Sequence, residues 1–162
     1  VIVNPSVILG PGDWTKGSSQ IFEKIHDGLK YYSSGSTGYV DVDDVAEALL
    51  QLFFSDVKNE RFIVNGENLK YRDCFDRIAE NLKTPKAIIK ITPFLKKIAW
   101  RLEAVRSFIS GKKPLLTKET ANSGMTTSKF SSAKIEKVIG FKFTDINTTI
   151  KKYSDWFIAD LM

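Results

Sequence analysis

Tyr39-Val40-Asp41-Val42 reads as a strand and runs directly into two further acids, Asp43 and Asp44. Val45, Ala48, Leu49, Leu52 and Phe53 follow at helical spacing. A strand that turns into an amphipathic helix without a linker cannot belong to an all-helical bundle or an all-strand sandwich. It predicts a mixed α/β fold, with Asp43 and Asp44 opening a helix over about 45–54. Their carboxylates suit the free N–H groups and the positive dipole end of its first turn.

The flanking segments fit the same class. Val1-Ile2-Val3 reads as a short β-branched strand stopped at Asn4-Pro5, because proline lacks an N–H and disfavours helix in the residue before it. Ser6 to Leu9 is a second extended run, ended by Gly10-Pro11-Gly12. Ser18 and Ser19 suit the N-cap of a helix over 20–27, with Gly28 just past its end. Lys30 to Tyr32 is strand-like, and Ser33 to Gly38 reads as a polar turn. Arg61 to Asn65 reads as a strand, Gly66-Glu67-Asn68 as a turn, and 72–82 as a helix with Cys74, Phe75, Ile78, Ala79 and Leu82 on one face. Further helices are predicted over 93–109, over 117–122, from Ser131 or Ser132 to Gly140, and over 146–161 behind an Asp145 cap. No repeat, low-complexity stretch or interdomain linker divides residues 1–162, so one domain is expected, with helices dominating its second half.

Composition narrows the function classes. The chain has 162 residues, 43% hydrophobic and 27% charged, enough for one core. No apolar run approaches the roughly 18 residues of a membrane span. Cys74 is the one cysteine, which excludes a disulfide framework and a cysteine-rich metal site, and its apolar neighbours mark it as a buried structural thiol. His26 is the one histidine, read as a surface residue of a short amphipathic helix. No metal site is expected. The chain opens inside a strand pattern and Val1 is not a start methionine, which suggests residues upstream; a tag removed before a true amino terminus is the alternative. No basic-then-apolar leader precedes Val1, and the expected location is cytoplasmic.

The order of motifs resembles one enzyme superfamily. Asn4-Pro5-Ser6-Val7-Ile8-Leu9-Gly10-Pro11-Gly12-Asp13 resembles the segment after the sixth strand of extended short-chain dehydrogenases/reductases. Tyr39 to Ala46 resembles their Y-[IV]-[HD]-V-x-D-[VL]-A motif, and Arg61 to Asn68 their strand followed by a G-E-N turn. Lys134 to Phe141 with Asp145-Ile146 resembles their closing K-x-x-x-x-L-G-F turn, isoleucine replacing leucine. The long helix after the G-E-N unit is similar to the dihydroflavonol-reductase and 3β-hydroxysteroid-dehydrogenase group. The resemblance spans nearly the whole chain. It implies the substrate-binding, carboxy-terminal half of an NAD-dependent epimerase, dehydratase or reductase. The implied fold is a partial Rossmann-like sheet remnant plus a small mixed α/β lobe.

The same resemblance shows what this chain lacks. Such enzymes carry a Gly-rich turn that lets the backbone approach a pyrophosphate at a helix N-terminus. Gly10-Pro11-Gly12 has no third glycine in place, and Pro11 removes an N–H. They also need a Y-x-x-x-K pair, whose tyrosine is the acid/base. Four places after Tyr31, Tyr32, Tyr39, Tyr71 and Tyr153 stand Gly35, Ser36, Asp43, Phe75 and Phe157, so no catalytic pair is present. What remains, by resemblance, is Pro5, Ser6 and Val7 beside the nicotinamide, and Asn4, Trp14, Ser18, Ser19 and Tyr39 toward substrate. Tyr32 is a further aromatic that would suit a pocket wall. Helix capping accounts equally well for Ser18 and Ser19, and core packing for the aromatics. Asp44 reads as a structural helix cap. NAD or NADP is the cofactor implied for a full-length parent, with none expected on this chain alone, and a small molecule is the implied substrate.

The net charge of +5 is local. Nine basic residues and only Glu103 as an acid lie between Lys83 and Lys113, giving +8 there and −3 elsewhere. The reading adopted is the solvated face of a helix over 93–109 that covers a substrate pocket. An anionic substrate and an anionic membrane surface stay open as alternatives, and nucleic acid is not expected. Self-association through the exposed edge of the Val1–Val3 strand is a further expectation. From another class, a non-catalytic binding or regulatory module retaining this lobe is the rival reading.

Overall fold

The computed structural model describes residues 1–92 and 124–162. The helices expected over 93–109 and 117–122, with their basic face, lie outside the described residues. The strands are β1 (Ile2–Pro5), β2 (Val7–Leu9), β3 (Tyr31–Tyr32), β4 (Ser36–Asp41), β5 (Arg61–Val64), β6 (Glu67–Lys70) and β7 (Ile89–Lys90). The helices are α1 (Gln20–His26), α2 (Val42–Phe53), α3 (Tyr71–Leu82), α4 (Ala133–Ile139) and α5 (Ile146–Leu161). Strand β1 pairs in parallel with β5, with Ile2 opposite Arg61 and Pro5 opposite Val64. Strand β4 lies between β2, in parallel, and β6, antiparallel, while β3 pairs in parallel with β7. The fold is mixed α/β. No helix of the described residues is long and apolar enough to cross a membrane.

Strand β4 partitions the core. Successive side chains of a strand point to opposite faces. Tyr39 therefore joins Leu9, Phe22, Leu69, Ile78, Ile150 and Phe157 beneath α1, α3 and α5. Val40 joins Val45, Leu52, Phe62, Val64, Ile135 and Phe141 beneath α2 and α4. Both faces of β4 are therefore covered, and Thr37 to Asp41 are all buried.

Two turn readings are corrected. Ser36-Thr37-Gly38 belongs to β4, and Glu67-Asn68 begins β6, because these two segments form one antiparallel ladder from Ser36–Lys70 to Tyr39–Glu67. The glycines serve close approach here. A Cβ on Gly38 would lie 1.9 Å from Asn65 Oδ1 and 2.9 Å from Phe130 Cδ2. At Gly35 it would lie 2.4 Å from the Thr126 carbonyl oxygen. Residues 124–130 run across the start of β4, held by Gly35 N–H to Gly124 O, Ser36 N–H to Thr126 O, and a two-way exchange between Asn68 and the Phe130 backbone. Gly38→Ala is expected to cost about 2–3 kcal/mol by overpacking, read as a lowered urea midpoint with unchanged slope.

Three helix caps also differ from expectation. Helix α2 starts at Val42, and its cap is Asp41, whose carboxylate accepts from the Asp43 N–H at 2.9 Å. Ser19 occupies the N-cap position of α1 but makes no side-chain cap bond. Ser132 makes none for α4 either; its hydroxyl accepts from the Asn65 N–H and donates to the Asn65 carbonyl, and it is the Ser131 hydroxyl that accepts from the Ala133 N–H at 3.4 Å. Asp145 does cap α5, accepting from the N–H groups of Asn147 and Thr148. Gly28 and Gly140 adopt the left-handed backbone that ends α1 and α4.

Candidate functional site at the carboxyl end of the parallel ladder

Parallel strands leave their ligand crevice at their carboxyl ends. Asn4 and Pro5 stand at that end of β1, exposed and in register with Ile63 and Val64 of β5. The turn between β1 and β2 is one residue long. Ser6 donates its N–H to the Val64 carbonyl at 3.0 Å, and its hydroxyl oxygen is buried without a hydrogen-bond partner. Val7 then starts β2, paired with Tyr39. Asn4, Pro5, Ser6 and Val7 therefore form one continuous corner at the end of the ladder.

The other candidate residues divide. Ser18, exposed, donates its hydroxyl to the Ile8 carbonyl at 2.5 Å and ties the 10–19 loop to β2. Ser19 is buried and directs its hydroxyl to the carbonyls of Asp13 and Lys16, both at 2.9 Å. Within that loop Lys16 bonds Asp13 at 2.7 Å and holds its carboxyl down, at about 2. Trp14 turns toward α5: its indole N–H donates to Asp160 at 2.7 Å, and its ring meets Phe22 and Phe157 edge-on. Tyr39 lies in the core, 1% exposed, with burial pushing its hydroxyl pKa up. Tyr32 lies under the Arg72 guanidinium, 4.7 Å from its ring centre, and its hydroxyl accepts from Arg72. Cys74 is fully buried, and burial pushes its thiol up to about 12, as an inert core residue. His26 is exposed and packs edge-on against Phe157. Among the described residues no cluster of His, Cys, Asp or Glu could hold a metal ion.

Sequence reasoning passed over the junction that supports this corner. Asp41 is 3% exposed, and besides the Asp43 N–H it accepts from the hydroxyls of Thr149 and Tyr153, each at 2.8 Å. Burial and the adjoining carboxylate push the Tyr153 hydroxyl pKa up, so it stays a donor. Asp44 accepts from both the N–H and the hydroxyl of Thr144 at 2.8 Å, which makes it an anchor for the α5 approach instead of a cap. Leu9 of β2 is in register with Asp41, and Gly10 lies against Val42, 2.6 Å from Cγ1 to a would-be Cβ. The polar junction thus sits directly beneath the start of the 10–19 loop. The signal was present as an acid at the last strand position before a helix, but its partners are more than 100 residues away.

No family model and no curated protein matches this chain. Solved structures do. The protein named gox2253 superposes with a TM-score of 0.75 and 25% identity over 98% of this chain and 49% of its own. A nucleoside-diphosphate-sugar epimerase from Pseudomonas aeruginosa gives 0.75 and 22%, over 98% and 48%. A UDP-glucose 4-epimerase from Thermotoga maritima, solved with UDP-glucose, gives 0.70 and 16%, over 99% and 46%. This chain spans about half the length of the solved proteins it matches. Over that half it has the fold of the NAD-dependent sugar epimerases and dehydratases, the extended short-chain dehydrogenases/reductases.

Proposed function

We propose that this chain is the substrate-binding half of an NAD(P)-dependent epimerase, dehydratase or reductase. Its substrate would carry a reacting hydroxyl or carbonyl group on a small molecule or nucleotide sugar. The observation that carries the reading is the two-stranded parallel ladder. Parallel sheets occur with both faces covered and with more strands. Here α2 and α4 cover one face of β1 and β5, while Ile2 and Ile63 on the other are 50% and 37% exposed. The far edge of β1 has no strand beside it among the described residues. A dinucleotide-binding half that extends β1 and covers that face would answer both features. The matched structures, about twice as long, have the length to hold it.

In that arrangement the Asn4–Val7 corner would close the nicotinamide end of the cofactor site. The orphaned Ser6 hydroxyl fits a carboxamide partner, and Pro5 would present a rigid apolar contact. The cofactor would supply hydride transfer. This chain's contribution is to orient the ring and, through Asn4 and the Ser18–Ser19 loop, to hold substrate. The pyrophosphate cradle and the Tyr/Lys acid–base pair would come from the other half. Left uncovered, the short β1 edge would also offer pairing to another chain. A cytoplasmic location goes with the reading, since a nucleotide cofactor is at hand there.

Calorimetric titration of the 162-residue chain with NADH is expected to show negligible binding, because only nicotinamide-end contacts remain. In a longer protein that includes a dinucleotide-binding half, hydrogen exchange at Ile2 to Val7 is expected to slow on adding NADH. Sub-micromolar binding by the chain alone, or unchanged exchange in the longer protein, would overturn the reading.

A further inference from the structure

The 10–19 loop is knotted within itself. The Asp13 carboxylate accepts from the N–H and the hydroxyl of Thr15 at 3.0 and 2.6 Å, and the Lys16 ammonium meets it at 2.7 Å. The Lys16 N–H closes a turn on the Asp13 carbonyl, Ser19 turns its hydroxyl to the carbonyls of Asp13 and Lys16, and the Gln20 amide reaches back to the Thr15 carbonyl. A segment tied in this way moves as one piece, so its place depends on what holds it from outside. Among the described residues, two of its side chains hydrogen-bond beyond it. Ser18 reaches the Ile8 carbonyl, at the end that the start of α1 already fixes. Trp14 holds the other end. Its ring meets Phe22 of α1 and Phe157 of α5 edge-on at 5.6 and 5.2 Å, and its indole N–H donates to Asp160 at 2.7 Å. Edge-on ring contacts tolerate centre separations of about 4.5–7 Å, whereas a hydrogen bond confines distance and angle closely. Asp160 therefore decides where the indole comes to rest. Its own place is firm, about 10 Å along α5 from Tyr153, whose hydroxyl is bound by Asp41.

We propose that Asp160 is a positioning residue for substrate binding: acting through Trp14, it holds the 10–19 loop in its substrate-binding place. The inference rests on the reading of this loop as the one that holds substrate. It makes Trp14 the anchor of that loop and not a wall of the pocket. A site that needs the loop in one place loses affinity in proportion to the time the loop spends elsewhere. The loss falls on KM and leaves kcat, because by that reading the reacting groups belong to the other half and the loop contributes binding alone.

Two measurements test this. In the 162-residue chain, nitrogen relaxation reads the order parameter of the Trp14 indole N–H, whose resonance is identified by its loss in Trp14→Phe. It is expected to fall in Asp160→Ala, on a scale where a rigid group gives about 0.85 and a flexible one less than about 0.6. Asp160→Asn keeps an acceptor oxygen and should stay near the parent. In a longer protein that includes a dinucleotide-binding half, Asp160→Ala is expected to raise KM about three- to tenfold, the factor that one net hydrogen bond contributes, with kcat unchanged. Trp14→Phe keeps a ring and loses the donor, so it should raise KM as much, and the double variant no further, since both remove one interaction. An indole that stays rigid in Asp160→Ala overturns the proposal. So does a KM that responds to Trp14→Phe and not to Asp160→Ala, which would make Trp14 itself a substrate contact. An indole that loosens while KM stays constant in every variant removes the reading of the loop as substrate-holding, and the proposal with it.

Discussion

Asp41→Ala is expected to destabilise the chain by about 4 kcal/mol, a large share of the roughly 5–15 kcal/mol that holds a domain folded. The carboxylate is buried and receives three hydrogen bonds, from the Asp43 N–H, Thr149 and Tyr153. Alanine removes the helix cap, worth about 1 kcal/mol. It also strands two hydroxyls on residues with no exposed surface, at about 1–3 kcal/mol each. Asp41→Asn keeps one acceptor oxygen and should cost about half as much. Glu47→Ala on the exposed side of the same helix should stay within about 0.5 kcal/mol. Equilibrium unfolding in urea measures all three. An Asp41→Ala chain within about 1 kcal/mol of the parent would show that Thr149 and Tyr153 find other partners, and that the junction does not hold α5 in place.

That junction also marks where the sequence stopped being legible. Several features set within a few residues were read correctly: Val45, Ala48 and Leu52 on the apolar stripe of α2, the buried face of α3 with Cys74, the Asp145 cap, and Gly28 and Gly140 past their helices. Features set by distant partners were not. Asp41, Asp43 and Asp44 look alike in sequence, and only Thr144 and the position of α5, 100 residues or more along the chain, tie Asp41 to Thr149 and Tyr153, Asp43 to Lys152 and Asp44 to Thr144. Ser18 and Ser132 have the chemistry of caps, yet carbonyls brought near by the fold took their hydroxyls, while that of Ser19 turned back to Asp13 and Lys16 in its own loop. Gly35 and Gly38 were turn signals until residues 124–130 were laid against them. The β1–Ser6–β2 corner was legible because proline and β-branched residues act locally. The partner of the Ser6 hydroxyl was not, since no group in the described residues satisfies it.

Pro5→Ala, made in a longer protein that contains the dinucleotide-binding half, is expected to lower turnover on the order of 100-fold, the loss that a misplacement of about 1 Å in a positioned reactant can bring. Pro5 ends β1 opposite Val64, exposed, and the one-residue turn at Ser6 follows it at once. Its ring fixes φ, so the Ser6 hydroxyl and the start of β2 inherit their direction from it. Alanine can adopt the same backbone, but it frees the corner to sample others. The stability cost should be no more than about 1 kcal/mol, since the change acts mainly on the unfolded chain. A large kinetic effect with a small stability effect is what separates a corner that orients a reacting ring from an ordinary end of a strand. The Lys96→Glu, Lys97→Glu double variant, in the basic stretch outside the described residues, should change turnover little if that charge is a solvated face. Steady-state kinetics decides. Unchanged turnover in Pro5→Ala, with activity abolished by the double lysine reversal, would move the working surface from the end of the ladder to the basic segment.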